Sequence, residues 1–164
     1  MKPDSYMWKR SKRKMNRDKL KQEIIFRDFE KKDFPRVQEL WELCDMGSPE
    51  RGDNADTILR CNSMGGKFIL IEREHDSKII GTSWMSYDGR RIYLHHFCIH
   101  PDFRNMGLGW QLGMKSLGYI KEKGAQVKLE VHKKNLAAKK LYDKLGFFAF
   151  VDYDIYMIRD VEKI

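Results

Sequence analysis

The sequence has little cysteine and no long apolar run. Its three cysteines, Cys44, Cys61 and Cys98, are odd in number and widely spaced in a chain of 164 residues. That pattern argues against a disulfide framework and is typical of a reducing compartment. No apolar run approaches the roughly 18 residues that cross a bilayer, and the start of the chain has charge without the apolar segment of a secretory signal. These absences predict a cytoplasmic protein without a membrane span.

The common short motifs for metal and phosphate binding are also missing. His95, His96, Cys98 and His100 crowd one segment, but side chains on a strand alternate between faces and spread along it. No CxxC pair elsewhere in the chain supplies further ligands, so we expect no metal site. Neither the P-loop string GxxxxGK[ST] nor the dinucleotide fingerprint GxGxxG occurs, which excludes these two phosphate-binding loops.

The positive charge of the chain is concentrated at its beginning. The net charge is +8, and residues 1–22 carry nine Lys or Arg against two Asp, so almost all of the excess lies there. We interpret residues 1–22 as a basic N-terminal extension that precedes one domain at 23–164. A solvated extension is the simpler interpretation, and an anionic partner (nucleic acid, anionic lipid or an acidic protein) is the alternative.

Hydrophobic periodicity predicts a regular alternation of strands and helices. Strands are predicted at 23–30, 67–74, 78–87, 91–99 and 126–131, with one or two more within 147–158. Helices are predicted after Asp33, after residue 54, at 108–123 and at 135–147. The order β-α-α-β-β-β-α-β-α-β(β) predicts an α/β (α+β) fold, a mixed and mainly antiparallel sheet of about six or seven strands flanked by about four helices.

The stretch IHPDFRNMGLGWQL, residues 99–112, joins a predicted strand to a predicted helix through two glycines. A helix N-terminus leaves backbone N–H groups without internal partners and carries partial positive charge. Glycine lacks a Cβ, so a phosphate can approach such amides closely, and Arg104 adds charge beside them. The stretch therefore predicts a phosphate-binding loop, with a simple tight turn as the alternative.

Two motifs resemble those of the GCN5-related N-acetyltransferase (GNAT) superfamily. Motif A of that family, V-x-P-x-x-[RQ]-x-x-G-x-[GA]-x-x-L, is matched in register by Ile99, Pro101, Arg104, Gly107, Gly109 and Leu112. Motif B, N-x-x-A-x-x-x-Y-x-x-x-G-F, is matched by Asn135, Ala138, Tyr142, Gly146 and Phe147. The predicted element order is also the family's order, so the resemblance covers roughly residues 23–158.

The resemblance implies acetyl-coenzyme A as the cofactor. The pyrophosphate would bind the loop amides of Arg104, Asn105, Met106, Gly107, Leu108, Gly109 and Trp110. The pantetheine arm would pair like an extra strand with the backbone of Phe97, Cys98 and Ile99. Asn135 would contact the same arm, and it is also an ordinary helix N-cap candidate.

The implied reaction is attack of a primary amine on the thioester through a tetrahedral intermediate. Tyr142 would donate a proton to the departing thiolate. The family's usual glutamate base is absent; its positions hold Tyr93 and His95, and we expect both to share a strand face with Ile99. His95 is the candidate base, acting directly or through water, with Glu130 on the next strand as the fallback. His96 should face the other way and be structural.

The acceptor amine could be a small molecule, an aminoglycoside-like compound or a peptide. Candidate acceptor residues are Trp41, Asp45, Trp84, Tyr87 and Tyr153, although most such aromatics belong to cores. Direct attack is favoured over an acetyl-enzyme, because Cys98 would be the only nearby thiol and its strand position suggests packing. The missing glutamate leaves a catalytically weak acyl-coenzyme A sensor as the alternative function, and the resemblance also allows a homodimer.

Overall fold

A single five-stranded sheet forms the centre of the computed structural model, which describes residues 23–160. The basic extension predicted at 1–22 lies outside the described residues. The strands are β1 (Ile24–Asp28), β2 (Lys67–Arg73), β3 (Lys78–Tyr87), β4 (Arg91–Ile99) and β5 (Gln126–Leu129). They lie side by side in chain order, antiparallel from β1 to β4, and β5 runs parallel to β4.

Helices cover both faces of this sheet. They are α1 (Phe34–Leu43), α2 (Ala55–Ser63), α3 (Leu108–Lys123) and α4 (Leu136–Lys144). α1 and α2 follow β1 and pack on one face, where Leu40, Trp41 and Ile58 meet Phe68 and Trp84 in one buried cluster. α3 crosses from β4 to β5 over the other face, as a parallel connection requires, and buries its own apolar side against the sheet in a second cluster (Ile71, Ile80, Met85, Leu108, Leu112).

α4 lies close against the first half of α3 because two positions of α3 are glycine. A Cβ on Gly113 would lie 2.5 Å from a methyl carbon of Leu145, and a Cβ on Gly109 would lie 3.2 Å from one of Leu141. Gly109 therefore has a packing role beside the role that motif A suggests. This contact fixes where Tyr142 of α4 stands relative to the end of β4.

A β-bulge interrupts β4 in its second half. Cys98 pairs with Thr82 and His95 pairs with Trp84, so His96 and Phe97 together stand opposite the single residue Ser83. His96 takes the left-handed conformation, with φ at 47°. An extra residue reverses the alternation of side chains along the strand. Tyr93 and His95 consequently face α1 and α2, whereas Ile99 packs in the cluster under α3, so the prediction that all three share one face is wrong.

The predicted mixed, mainly antiparallel sheet with four helices is confirmed, but the sheet has five strands instead of six or seven. The difference lies after α4, because residues 148–160 form no strand. Their alternating apolar pattern has strand propensity, yet a strand also needs a neighbour to pair with, and β5 pairs only with β4 among the described residues. Large apolar side chains there are exposed: Phe148, Phe150, Tyr153, Ile155 and Tyr156.

Candidate active site

The first turn of α3, which follows the loop after β4, presents backbone amides that have no intrahelical partner. Asn105 and Gly107 both take left-handed conformations, with φ at 61° and 86°, and α3 begins at Leu108. The first amide of this helix to bond back is that of Gln111, which donates to the carbonyl of Gly107 at 3.1 Å. The N–H groups from Leu108 to Trp110 therefore precede the intrahelical bonds and carry the positive end of the helix dipole.

The space above this loop is open. A Cβ on Gly107 would meet no atom within 4 Å. Trp110 is 44% exposed, whereas the Leu108 side chain is buried in the core. Arg104 turns back toward β4, where its Nε donates to the carbonyl of Ile99 at 3.1 Å and its Nη2 lies 3.7 Å from Sγ of Cys44. The start of α3 therefore combines accessible amides with a guanidinium nearby, an arrangement that is suited to an anion.

β4 and β5 separate beside this loop. The two strands pair only from Arg91 to Leu94 on β4 and from Gln126 to Leu129 on β5, while β4 continues to Ile99. The part of β4 that carries Phe97 and Cys98 thus extends beyond the ladder with β5. An extended ligand can add to such a strand edge through main-chain hydrogen bonds, and the gap leads directly to the amides at the start of α3.

Tyr142 lies at this gap. It is buried on α4, with its ring 6.0 Å from that of Phe97 and 5.7 Å from that of Phe147. Burial, together with the nearby Cys98 thiol, raises the pKa of Tyr142 to about 12. Its hydroxyl stays protonated at neutral pH and can act as a proton donor. Asn135 caps the same helix, and its side-chain oxygen accepts from the amide of Ala138 at 3.1 Å.

The bulge in β4 brings both histidines to the α1 and α2 face. Nδ1 of His95 lies 3.0 Å from Nδ1 of His96, and Nε2 of His96 lies 3.1 Å from Oδ2 of Asp53. The His96 ring packs 4.3 Å from Trp41, and the His95 ring packs 4.3 Å from Trp84. The prediction that His96 faces away from His95 is wrong, because it assumed an uninterrupted alternation along the strand.

Both histidines are neutral at pH 7. Burial lowers the pKa of His95 to about 4, and the neighbouring His96 contributes in the same direction. Burial also lowers the pKa of His96, although Asp53 opposes this shift. Nε2 of His95 is buried and has no hydrogen-bond partner among the described residues. A buried polar atom without a partner is uncommon and marks a site where a ligand could complete the bond.

The predicted acceptor residues divide into two groups. Trp41 and Trp84 stack on each other in the core and contact the two histidines, so they form the wall behind them. Asp45 is exposed after α1, the Tyr87 hydroxyl donates to the carbonyl of Gly89, and Tyr153 is 75% exposed. The structure shows no hydrogen bond or ring contact from any of these last three to either histidine within residues 23–160.

Two further side chains, Glu130 and Cys44, lie beside the residues of β4 that line this region. Glu130, which follows β5, is exposed and lies close to Tyr93, whose pKa is raised to about 12 by burial and by this carboxylate. Cys44 is half-buried directly after α1, where its thiol donates to the carbonyl of Ile99 at 3.6 Å and interacts with the neighbouring Cys98 thiol. The prediction that Cys98 would be the only thiol near the gap is therefore wrong. Cys44 also lies there, because the last turn of α1 reaches over β4.

In the described part of the chain no cluster of three or more His, Cys, Asp or Glu side chains could hold a metal ion. Among residues 23–160 no helix combines the length and apolar character needed to span a membrane.

A family model for the Acetyltransferase (GNAT) family matches residues 26–147, which is most of the chain. The chain belongs to the GNAT family. Motifs A and B both lie inside the matched region, so the resemblance seen in the sequence is confirmed. The loop at the start of α3 and the gap between β4 and β5 can accordingly be treated as parts of an acetyltransferase fold.

Solved structures of low identity share this GNAT fold. An acetyltransferase from Streptococcus agalactiae has a TM-score of 0.70 at 18% identity, with 84% of this chain and 92% of that chain covered. Glucosamine-6-phosphate N-acetyltransferase from Arabidopsis thaliana has a TM-score of 0.64 at 21% identity, with 84% and 98% covered. A predicted acetyltransferase with acetyl-CoA from Clostridium acetobutylicum has a TM-score of 0.65 at 16% identity, with 82% and 96% covered.

Proposed function

We propose that this GNAT protein transfers the acetyl group of acetyl-coenzyme A to a primary amine by direct attack. The observation that carries this proposal is the continuity of three features: open amides at the start of α3, an unpaired length of β4 beside them, and Tyr142 at the same gap. The similar fold of a glucosamine-phosphate N-acetyltransferase supports an amine acceptor, and that of an acetyltransferase with acetyl-CoA supports the cofactor.

The chain offers separate places for the two ends of the cofactor. The amides of Met106, Gly107, Leu108, Gly109 and Trp110, together with Arg104 and Asn105, would hold the diphosphate. The backbone of Phe97, Cys98 and Ile99 would hold the pantetheine arm as an added strand. When bound, the cofactor supplies an activated acetyl group as a thioester. This arrangement leads the acyl end toward Tyr142 and away from the charged loop.

Tyr142 and His95 have complementary proton chemistry. The raised pKa of Tyr142 keeps its hydroxyl protonated, so it can protonate the leaving thiolate. The lowered pKa of His95 keeps its ring neutral, so it can accept a proton from the attacking amine, directly or through water. Glu130 supports no such role in its present contacts, because its carboxylate lies close to Tyr93.

Direct attack by the amine also agrees with the burial and the raised pKa of the Cys98 thiol. This thiol is 7% exposed, and its pKa is raised by the neighbouring Cys44 thiol and by burial. A protonated, buried thiol is a poor nucleophile. An acetyl-enzyme at Cys98 would therefore form slowly compared with attack by a bound amine.

The test measures thiol release from acetyl-coenzyme A over a panel of sugar amines, aminoglycosides and peptide amines. Wild-type protein should release thiol with at least one class. Tyr142→Phe keeps the ring packing and should lower kcat about 100-fold, as loss of a general acid does. His95→Gln should lower it by a similar factor, while His75→Gln, which changes an exposed histidine in the β2–β3 turn, should leave it unchanged.

The second candidate function is an acyl-coenzyme A sensor that binds without turnover. It is favoured by one observation, the absence of a carboxylate at the positions held by Tyr93 and His95. Tight binding of coenzyme A without thiol release from any amine would support the sensor and contradict the transferase.

A further inference from the structure

Asp53, His96 and His95 form a continuous hydrogen-bonded array that ends at an atom without a partner. The array runs from Oδ2 of Asp53 to Nε2 of His96 at 3.1 Å, and from Nδ1 of His96 to Nδ1 of His95 at 3.0 Å. Its last atom, Nε2 of His95, is buried and unpaired among the described residues. Asp53 belongs to the loop before α2 and both histidines belong to β4, so two separate segments of the chain converge here.

The carboxylate of Asp53 determines which nitrogen of each histidine ring carries the proton. An ionised carboxylate can only accept hydrogen bonds, and Oδ2 of Asp53 already accepts one from the amide of Ser48 at 2.8 Å. His96 must therefore carry its proton on Nε2, which leaves Nδ1 bare because the ring is neutral. A bare Nδ1 on His96 requires that His95 donate from its own Nδ1. A neutral His95 with a proton on Nδ1 has an unprotonated Nε2.

We propose that Asp53 and His96 are positioning residues, which hold His95 as the tautomer with an unprotonated Nε2 and so make it the base of the reaction. The inference rests on the proposed transferase function and deepens it. His95 is the group that meets the amine proton; the other two residues act through it. The backbone geometry that permits the array is the β4 bulge, which places two consecutive residues on one face.

Asp53 partly offsets the charge that proton uptake creates on His95, whereas burial and His96 oppose that charge. When Nε2 of His95 accepts a proton from the amine, the ring becomes an imidazolium whose Nδ1–H remains bonded to His96. The carboxylate of Asp53 acts on that charge from the other end, without itself taking the proton. After the transfer this proton leaves Nε2 through water and replaces the proton that Tyr142 gave to the thiolate, so the array and Tyr142 both return to their starting states.

The first test reads the tautomers directly by long-range ¹H–¹⁵N spectra of histidine-labelled full-length protein at pH 7. We expect His96 to show a proton on Nε2 and His95 to show one on Nδ1, with assignments from His95→Gln and His96→Gln. A proton on Nε2 of His95 would overturn the inference, because that atom could then no longer accept one. This readout does not depend on any enzymatic activity.

The second test uses Asp53→Asn, which removes the charge and keeps the shape. The Ser48 amide points at Oδ2, so the Asn oxygen should occupy that position and still accept from both Ser48 and His96. We expect kcat to fall tenfold or more, with coenzyme affinity and histidine tautomers unchanged. Asp28→Asn is the matched control, since Asp28 is an exposed partner of Lys67 on β1 and should leave kcat unchanged.

The outcomes separate this inference from the proposed function. If wild-type protein releases no thiol with any amine, the transferase proposal fails, whatever the tautomers are. If wild-type protein is active and Asp53→Asn is equally active, the transferase proposal stands and the role of the array is overturned. A fall in kcat together with the expected tautomers supports both.

Discussion

At the scale of single residues, the three cysteines differ sharply in their surroundings. Cys44 lies near the Cys98 thiol and the Arg104 guanidinium, and these neighbours lower its pKa to about 7 despite partial burial. The pKa of Cys61 is raised by burial, with the Trp84 N–H opposing the shift. Since the thiolate is the reactive form, the chain should contain one reactive and two unreactive thiols.

We predict that iodoacetamide modifies Cys44 first. At pH 7 about half of Cys44 should be thiolate, so its alkylation rate should rise with pH and level off above about 8. Cys61 and Cys98 should react many times more slowly in the folded protein. Mass spectrometry of peptides from a timed reaction gives the three rates, with Cys61 as the internal control. Equal rates at Cys44 and Cys61 would contradict this account.

At the scale of elements, the two ends of α3 make a natural comparison. Gly107 precedes the helix with φ at 86°, and Gly124 follows it with φ at 63°. An added Cβ at either position would meet nothing within 4 Å. The open space at Gly107 faces the amides proposed for the diphosphate, whereas Gly124 only terminates the helix.

We predict that Gly107→Ala weakens coenzyme A binding at least tenfold. The added Cβ would enter the space that the diphosphate needs, and the left-handed backbone would cost about 1–2 kcal/mol. Gly124→Ala should lower stability by a similar amount and leave coenzyme affinity unchanged. Calorimetric titration with coenzyme A measures both variants. Equal affinities for Gly107→Ala and wild-type protein would show that the diphosphate binds elsewhere.

The sequence predicted the positions of the strands and helices better than any other part of the fold. Every strand and helix from β1 to α4 lies within a few residues of its predicted range, because the apolar periodicity in each is regular. The bulge at His96 could not be predicted, since it depends on how β4 pairs with β3 and leaves no local pattern. The Asp53 contact depends on that bulge, so it was missed too. The doublet His95-His96 is visible in the sequence, but it does not show that both side chains face α1 and α2.

The loop that we propose for the coenzyme could be recognised in the sequence for the opposite reason. Its glycines, its arginine and the helix start that follows are all local features, visible in one short stretch of sequence. The segment after α4 shows the limit of such local evidence. Residues 148–158 have a strand-like pattern but no pairing partner in the structure, and pairing is a property of the sheet as a whole.

At the scale of the whole molecule, buried neutral histidines make stability depend on pH. Burial lowers the pKa of His95 to about 4 and also lowers that of His96 and His100. In the unfolded chain these groups take up protons near pH 6.5. Between about pH 6.5 and 4 the unfolded state therefore binds more protons than the folded state, and acid favours unfolding.

We predict that the free energy of unfolding falls as the pH is lowered from 7.5 to 5. A histidine that titrates only in the unfolded state contributes about 1.4 kcal/mol per pH unit, so His95 alone should account for about 1–2 kcal/mol. Urea titrations at both pH values measure the difference. His95→Gln should reduce it, and His75→Gln, which changes an exposed histidine, should not. An identical pH dependence in wild type and His95→Gln would contradict the assignment.

The proposed acetyl transfer depends most on where coenzyme A binds. The direct measurement is a ¹H–¹⁵N spectrum of the labelled protein recorded during titration with coenzyme A. We predict that the largest amide shifts fall between Met106 and Trp110, followed by those from Phe97 to Ile99. Saturable binding with unmoved signals in both segments, or no binding at all by folded protein, would contradict it.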